Sequence, residues 1–372
     1  MGVFEKIKGN FGFGFMRLPM DGDRVDENRT REMVDLFMEQ GFNYFDTAHG
    51  YLDGQSEQML KTCLTSRYPR ESYVLADKLS PSFFHKQEDI IPLFEKQLEA
   101  CGVEYFDFYL MHAQSKKLFA KYKACKAYET ALQLREQGRI RHLGISFHDT
   151  AEVLDQILTE YPQIEVVQIQ LNYVDFEDPA VQSRKCLEVC RKHGKPVIVM
   201  EPVKGGTLVN LSGAAKAVLD RVGSGSYASY AVRFAAMQPG VFMVLSGMSS
   251  PDMVADNTGY MRSFEPLNEE ELEAVERVCA IVRDGDTVAC TACRYCVEVC
   301  PQKISIPDIF ACYNNSKIFN DWNAGYYYSI HTDTHKVSDC LQCGKCEQAC
   351  PQHLEIRTLL QSVDAAFEEK KE

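Results

Sequence analysis

The chain has 372 residues, 45% of them hydrophobic and 25% charged, a balance typical of a globular protein with one large domain or two domains. Its net charge of −13 and the lack of any apolar run of about 20 residues argue against nucleic-acid and membrane partners. The first ten residues contain no apolar core of the secretory type, so we expect a cytoplasmic protein whose 15 cysteines are free thiols or metal ligands.

Short apolar runs alternate with amphipathic helical segments along the first three quarters of the chain. These runs predict strands at 12–17, 42–46, 73–78, 106–112, 141–146, 166–172, 196–201 and 241–247. Strand–helix units of this number over about 250 residues predict an α/β fold, the (β/α)8 TIM barrel, which we place at residues 1–283. A doubly wound open sheet is the alternative, but no GxGxxG motif follows the first strand.

Polar side chains stand at the carboxyl ends of three consecutive predicted strands, which is where barrel enzymes carry their active sites. Asp46 and Tyr51 follow the second strand. Lys78 ends the third strand and His112 ends the fourth. Any one of these residues alone is more often a core or surface residue than a catalytic one. Their order at successive strand ends favours a catalytic group.

The segments FDTAHGY, ADK and LMH resemble the aldo-keto reductase family, and the resemblance extends over roughly residues 12–260. The four polar residues match that family's catalytic tetrad, which implies reduction of a small carbonyl compound. In this chemistry Tyr51 supplies a proton, and Lys78 lowers the pKa of Tyr51. Asp46 holds Lys78 in place, while His112 orients the carbonyl oxygen.

The same resemblance implies a nicotinamide cofactor, NADH or NADPH. Ser146 and Gln168 match family positions that hold the nicotinamide carboxamide. Further expected cofactor contacts are Lys204, Gly205, Gly247, Ser249 and Asn257. Lys204 and Gly205, with the following Gly206, are expected to approach a phosphate of the cofactor, and a surface turn is the alternative.

Four positions depart from the family's cofactor pattern. Phe147 replaces a frequent asparagine, and Met200 replaces an aromatic residue that stacks on the nicotinamide. Ser250 and Met253 stand where a basic and a polar residue often meet the adenosine phosphate, so a preference for a 2′-phosphate is poorly supported. These departures leave FMN open as an alternative redox carrier.

Two cysteine motifs occupy the last part of the chain, CTACRYCVEVCP from Cys290 and CLQCGKCEQACP from Cys340. Three thiolates spaced C-x2-C-x2-C bind one 4Fe-4S cluster, and the fourth cysteine, before proline, binds the other cluster. This rule assigns Cys290, Cys293, Cys296 and Cys350 to cluster 1, and Cys340, Cys343, Cys346 and Cys300 to cluster 2. Paired zinc ribbons are the alternative, but they use neither the third cysteine nor the prolines.

The segment also resembles bacterial two-cluster ferredoxin domains of the helical type with a long connection between the motifs. We therefore predict a small, mainly helical ferredoxin-like domain at 284–372, with a helix in IPDIFACYNNSKIF.

Together these features predict a cytoplasmic iron–sulfur oxidoreductase that reduces a carbonyl-type small molecule with electrons passing through two 4Fe-4S clusters. Because each cluster carries one electron at a time, a one-electron donor protein such as ferredoxin is the expected partner. Two alternatives stay open. One is an NAD(P)H-dependent aldo-keto reductase whose clusters are structural or sensory, and the other is an electron carrier with an idle barrel.

Overall fold

A computed structural model describes residues 3–223, 225–283, 287–290, 292–319, 322–350 and 352–368. The described residues fall into two compact units. The first lies within Met1–Asn172, Lys185–Val203 and Gly225–Asn268, and the second within Tyr173–Arg184, Lys204–Ser224 and Glu269–Glu372. The domain boundary that we predict between 283 and 284 stays a prediction, because residue 284 lies outside the described residues.

The first unit contains a closed barrel of parallel strands, which confirms the predicted (β/α)8 fold. The strands are β1 (Phe11–Gly14), β2 (Tyr44–Asp46), β3 (Val74–Leu79), β4 (Phe106–Gln114), β5 (Ile140–Phe147), β6 (Val166–Gln170), β7 (Val197–Met200) and β8 (Val241–Gly247). Pairing of β1 with both β2 and β8 closes the barrel. A short antiparallel hairpin, Met20–Asp21 with Arg24–Val25, follows β1.

The helices alternate with the strands and then continue alone to the end of the described chain. They are α1 (Val3–Lys6), α2 (Glu27–Glu39), α3 (Gln55–Leu60), α4 (Ile90–Cys101), α5 (Lys116–Ala124), α6 (Ala127–Glu136), α7 (Ala151–Glu160), α8 (Ser183–Lys192), α9 (Gly213–Leu219), α10 (Tyr227–Ala236), α11 (Pro251–Arg262), α12 (Glu269–Arg283), α13 (Tyr295–Glu298), α14 (Ile306–Phe319), α15 (Trp322–His331), α16 (Lys345–Gln348) and α17 (Ile356–Glu368). No helix among the described residues is long and apolar enough to cross a membrane.

Local sequence explains where several barrel elements begin and end. Asp26 caps α2 by accepting a hydrogen bond from the Arg29 amide, as N-cap aspartates do. Gly102, at φ 66°, ends α4 in the left-handed conformation that glycine adopts without strain. Every residue of β3 is buried, as expected for a parallel strand that is covered on both faces.

The strand register places the predicted site residues at one end of the barrel. Gly14 pairs with Asp46 across β1 and β2, and Ser146 pairs with Gln168 across β5 and β6. In a parallel barrel all carboxyl ends lie on the same rim. Below this rim the barrel interior is apolar, built from Tyr44, Val74, Ala76, Phe108, Leu110, Val166, Ile198, Met243 and Leu245.

The second unit is mainly helical, as predicted, and α14 coincides with the predicted helix IPDIFACYNNSKIF. Its core combines residues from α14, α15 and α17 with Ala180 and Val181, which come from the segment after β6. Asp178 joins that segment to α14 by accepting a hydrogen bond from Asn315 Nδ2 at 3.0 Å. The unit therefore draws residues from well before the cysteine motifs.

Candidate active site and cluster-binding cysteines

The structure brings the four predicted tetrad residues together in the first unit. Lys78 Nζ donates to Asp46 Oδ1 at 2.5 Å and to the Thr47 carbonyl oxygen at 2.6 Å. Its nitrogen also lies 4.8 Å from the centre of the Tyr51 ring. The Tyr51 ring meets His112 edge to face, with ring centres 5.8 Å apart. The tetrad is therefore assembled as a single contact group.

The Asp46–Lys78 ion pair is buried, with only 4% and 0% of the two residues exposed. Burial alone would lower the pKa of Lys78, but Asp46 and Tyr51 together raise it above its ordinary value. Burial raises the pKa of the Asp46 carboxyl, and Lys78 and Gln168 act against that rise. The arrangement keeps Lys78 as an ammonium ion beside Tyr51.

We predicted that Lys78 lowers the pKa of Tyr51, but the net shift of this pKa is upward. Burial raises the pKa of Tyr51 above its ordinary value, and the Lys78 ammonium only lowers it part of the way back. Asp46 and Asp77 add to the rise by placing negative charge near the phenol. Lys78 still acts on Tyr51 in the expected sense, but burial outweighs it.

His112 is held as a neutral imidazole. Burial, followed by Lys78 and His148, lowers the pKa of His112 well below its ordinary value. Its Nδ1 lies 2.8 Å from Ser80 Oγ. A neutral ring whose Nδ1 is engaged by a hydroxyl leaves Nε2 as the nitrogen that can meet a substrate oxygen.

Ser146 and Gln168 lie on the same rim as the tetrad. Ser146 Oγ accepts a hydrogen bond from the Ala113 amide at 2.8 Å. Gln168 Nε2 donates to Asp46 Oδ2 at 3.4 Å. A carboxamide needs both a donor and an acceptor, and the Ser146 hydroxyl with the Gln168 amide supplies these types. The residues therefore fit the predicted nicotinamide position.

Two predicted cofactor contacts that follow β8, Ser249 and Asn257, differ in their exposure and bonding. Ser249 is exposed, and its hydroxyl donates to the Arg17 carbonyl oxygen at 2.8 Å. Asn257 is buried, and its amide joins Ser246 Oγ at 3.1 Å and the Tyr260 hydroxyl at 2.8 Å. The Ser246 bond holds α11 on β8, whereas the Tyr260 bond lies within α11. Asn257 stays a predicted cofactor contact.

Lys204 and Gly205 belong to the second unit. Lys204 Nζ forms an ion pair with Asp175 Oδ1 at 2.7 Å, and both side chains are almost completely buried. Because Asp175 already balances this charge, the structure does not support the predicted phosphate contact by Lys204. Gly205 has φ 64° and stays a predicted cofactor contact.

Sequence reasoning missed Arg17, which lies three residues after the end of β1. Its side-chain carbons lie along Gly247, where an added Cβ would meet them at 3.2–3.3 Å. Its guanidinium Nη2 lies 3.6 Å from Glu201 Oε1. Gly247 therefore leaves the space through which Arg17 reaches across the end of β8. A cation at the last position of the predicted first strand was the signal available in the sequence.

The predicted ligands of cluster 1 line one pocket of the second unit. Its walls are formed by Cys290, Cys293, Arg294, Cys296, Ile306, Pro307, Phe310, Cys350, Gln352, Leu354 and Ile356. Four thiols among apolar side chains suit a 4Fe-4S cluster, which is bound by thiolates and tuned by its dry surroundings. Cys290, Cys293 and Cys296 thus meet Cys350 of the other motif, as the ligand rule requires.

The predicted ligands of cluster 2 lie in the same unit. Cys300 and Cys340 pack against the core that also contains Cys346. Cys343 is exposed, as is Cys293 in the first motif. Pro351, which closes the second motif, lies outside the described residues.

Comparison with known proteins gives two family matches. The model of the aldo/keto reductase family matches residues 10–280, and the model of a 4Fe-4S dicluster domain matches residues 289–354. An aldo-keto reductase of Mycobacterium avium strain 104 is 25% identical over 267 residues, covering 71% of this chain and 87% of that protein. The NADH-specific methylglyoxal reductase of Escherichia coli K12 is 24% identical, covering 64% and 85%.

A solved structure agrees with the barrel. The aldo-keto reductase from Klebsiella pneumoniae in complex with NADPH matches with a TM-score of 0.59 at 20% identity, covering 72% of this chain and 90% of that one. This likeness concerns the fold. The family match over residues 10–280, with its tetrad assembled, shows that the chain belongs to the aldo/keto reductase family and carries a 4Fe-4S dicluster domain after its reductase domain.

Proposed function

We propose that this oxidoreductase reduces a small carbonyl compound at the tetrad, with Tyr51 as the general acid. The buried Asp46–Lys78 ion pair beside the Tyr51 ring is the observation that carries the proposal. Lys78 favours the phenolate that remains when Tyr51 gives up its proton, and Asp46 fixes the ammonium. Neutral His112 donates from Nε2 to the carbonyl oxygen and orients it.

A nicotinamide held by Ser146 and Gln168 supplies a hydride when it is bound. The relatives support this cofactor, since one is named an NADH-specific reductase and one is solved with NADPH. Ser250 caps α11 through its hydroxyl, and Met253 is 49% exposed at the start of α11. Neither offers a charge to a 2′-phosphate, so we expect NADH to serve at least as well as NADPH. FMN stays a prediction.

The 4Fe-4S clusters supply one-electron transfer when they are bound, and we propose that they connect the enzyme to a one-electron donor such as ferredoxin. Two complete cysteine motifs support this role, because one closed metal site would suffice for a structural purpose. None of the fifteen cysteines forms a disulfide in the described part of the chain, which supports a reducing compartment such as the cytoplasm.

Replacing Tyr51 with phenylalanine tests the carbonyl reductase proposal. Loss of the phenolic proton should lower turnover by about 10²–10⁴-fold with the fold retained. Tyr68→Phe is the matched control, because it also removes a phenolic hydroxyl but lies outside the tetrad. The Tyr68 hydroxyl donates a hydrogen bond to Asp35 Oδ1 at 2.6 Å. Full activity of Tyr51→Phe on a carbonyl that the native protein reduces would show that the tetrad assignment is wrong.

Serine replacements of Cys293 and Cys343 test the electron source. Turnover is measured with reduced ferredoxin and with NADH or NADPH, and Cys279→Ser serves as the control because Cys279 belongs to neither motif. We expect the cluster variants to lose ferredoxin-driven turnover while Cys279→Ser keeps it. A different result would favour structural or sensory clusters. In that case the native protein turns over with a nicotinamide alone, and the cluster variants keep the same nicotinamide-driven turnover.

A further inference from the structure

A buried pair of carboxyl groups lies next to Lys78, outside the tetrad. Glu57 comes from α3 and Asp77 from β3, and one carboxylate oxygen of each lies within 4.8 Å of the other and of Cys101 Sγ. Glu57 is 1% exposed and Asp77 is fully buried. Two carboxylates this close in a buried site repel each other, which favours a state in which one of them holds a proton.

Apart from His49, the described groups that face this acid pair supply no positive charge beyond the Lys78 ammonium. Cys101 donates its thiol to Asp77 Oδ2 at 3.8 Å. Tyr109 reaches the pair only through Gln97, and Tyr51 and the Lys78 ammonium belong to the tetrad. Burial, followed by the Glu57 carboxylate, raises the pKa of Asp77 well above its ordinary value. The surroundings thus favour a shared proton.

The acid pair is bonded to the main chain of Lys78 on both sides. Asp77 Oδ1 accepts from the Lys78 amide at 2.7 Å. Gln97 Nε2 donates to the Lys78 carbonyl oxygen at 3.0 Å and lies 3.3 Å from Glu57 Oε1. The peptide groups that set the direction of the Lys78 side chain are therefore fixed by this network.

His49 gives the buried pair a route to solvent. Its Nδ1 lies 2.9 Å from Glu57 Oε2, and 22% of its side chain is exposed. Its ring packs edge to face on Phe83, which is itself 45% exposed. An imidazole has two ring nitrogens, so His49 can pass a proton between Glu57 and water.

We propose that Glu57 and Asp77 share one proton, that His49 exchanges this proton with solvent, and that the singly charged pair positions Lys78 for its work on Tyr51. The exchange moves a proton from the carboxyl oxygen to His49 Nδ1 and back, with no other reactant. The last part of the proposal rests on the proposed carbonyl reduction, whereas the shared proton does not.

The shared proton also predicts the direction of a pH effect. When the pair loses it at alkaline pH, a second negative charge appears near Tyr51, and negative charge from Asp77 raises the pKa of Tyr51. A higher pKa makes Tyr51 a poorer acid, so turnover falls on the alkaline side. Removing one carboxylate should move this alkaline fall to higher pH.

Infrared spectroscopy of Asp77→Asn and Glu57→Gln tests the shared proton directly. The native protein at neutral pH should show the carbonyl stretch of a protonated carboxylic acid that shifts in D2O, and each variant should lose it. Asp107→Asn is the matched control, because Asp107 is a buried aspartate on β4 that pairs with Arg70 and accepts from the Leu75 amide of β3, the strand that carries Asp77. This control should keep the band. A band that survives both amide variants would overturn the proposal.

The pH dependence of turnover tests the positioning role. Asp77→Asn and Glu57→Gln should shift the alkaline limb of kcat to higher pH with KM unchanged, and Asp107→Asn should leave the limb in place. Native and variant profiles that coincide would reject the positioning role. If the protein reduces no carbonyl compound, the infrared result still decides whether the proton is shared, so the two proposals fail separately.

Discussion

At the scale of single residues, burial controls the chemistry of the tetrad more than sequence suggests. Burial raises the pKa of Tyr51, and Lys78 opposes it. Burial also keeps His112 neutral, with help from the Lys78 ammonium. The site thus combines a weak acid, a fixed cation and a neutral imidazole. This combination suits a reaction in which the proton leaves only as negative charge develops on the substrate oxygen.

Replacing Lys78 with methionine should raise the pKa of Tyr51 further, because the ammonium is the group that lowers it. The phenolate needed for alcohol oxidation would then form only at higher pH. We expect the limb of the oxidation profile that depends on the phenolate to move to higher pH and turnover at neutral pH to fall by about 10²-fold or more. The measurement is kcat against pH with an alcohol product as substrate.

Lys121→Met is the control for this replacement, since Lys121 bonds the Pro81 carbonyl oxygen away from Tyr51. Its profile should match that of the native protein. A Lys78→Met profile that also matches the native profile would contradict the role assigned to Lys78.

At the scale of elements, the barrel depends on close approach of neighbouring strands. Gly144 on β5 lies between β4 and β6, where an added Cβ would meet Leu110 Cδ2 at 2.4 Å and Val166 Cγ2 at 2.5 Å. Gly259 lies within α11, and an added Cβ there has no neighbour within 4 Å. The two glycines therefore differ in what an added methyl group does.

We expect Gly144→Ala to lower the free energy of unfolding by about 1–3 kcal/mol through overpacking. Gly259→Ala should raise it by up to about 1 kcal/mol, because alanine favours a helix over glycine. Denaturant titration followed by circular dichroism measures both changes. Equal effects of the two substitutions would contradict the close packing of β5.

At the scale of the whole molecule, the reductase and dicluster sequences combine two kinds of electron chemistry in one chain. We predict about eight iron and eight acid-labile sulfide per chain after anaerobic preparation, because two complete motifs each bind a 4Fe-4S cluster. Metal and sulfide analysis with visible absorption checks this. Stoichiometric zinc without visible absorption would support the zinc-ribbon alternative instead.

The sequence by itself determined the features that repeat or follow a fixed order. The strand ends carrying Asp46, Lys78 and His112 were readable because a barrel repeats one local unit, and each polar residue closes an apolar run. The cysteine motifs were readable because cluster ligands need short fixed spacings. The helix Ile306–Phe319 was readable from the spacing of its apolar residues.

Only the tertiary structure decided how these residues are surrounded. Lys204 was predicted to meet a phosphate, and the fold instead buries it against Asp175. Glu57 and Asp77 are 20 positions apart in the sequence, and the fold brings their carboxyl groups together. The physical reason is that charge state depends on burial and on neighbours distant in sequence, which local patterns do not encode.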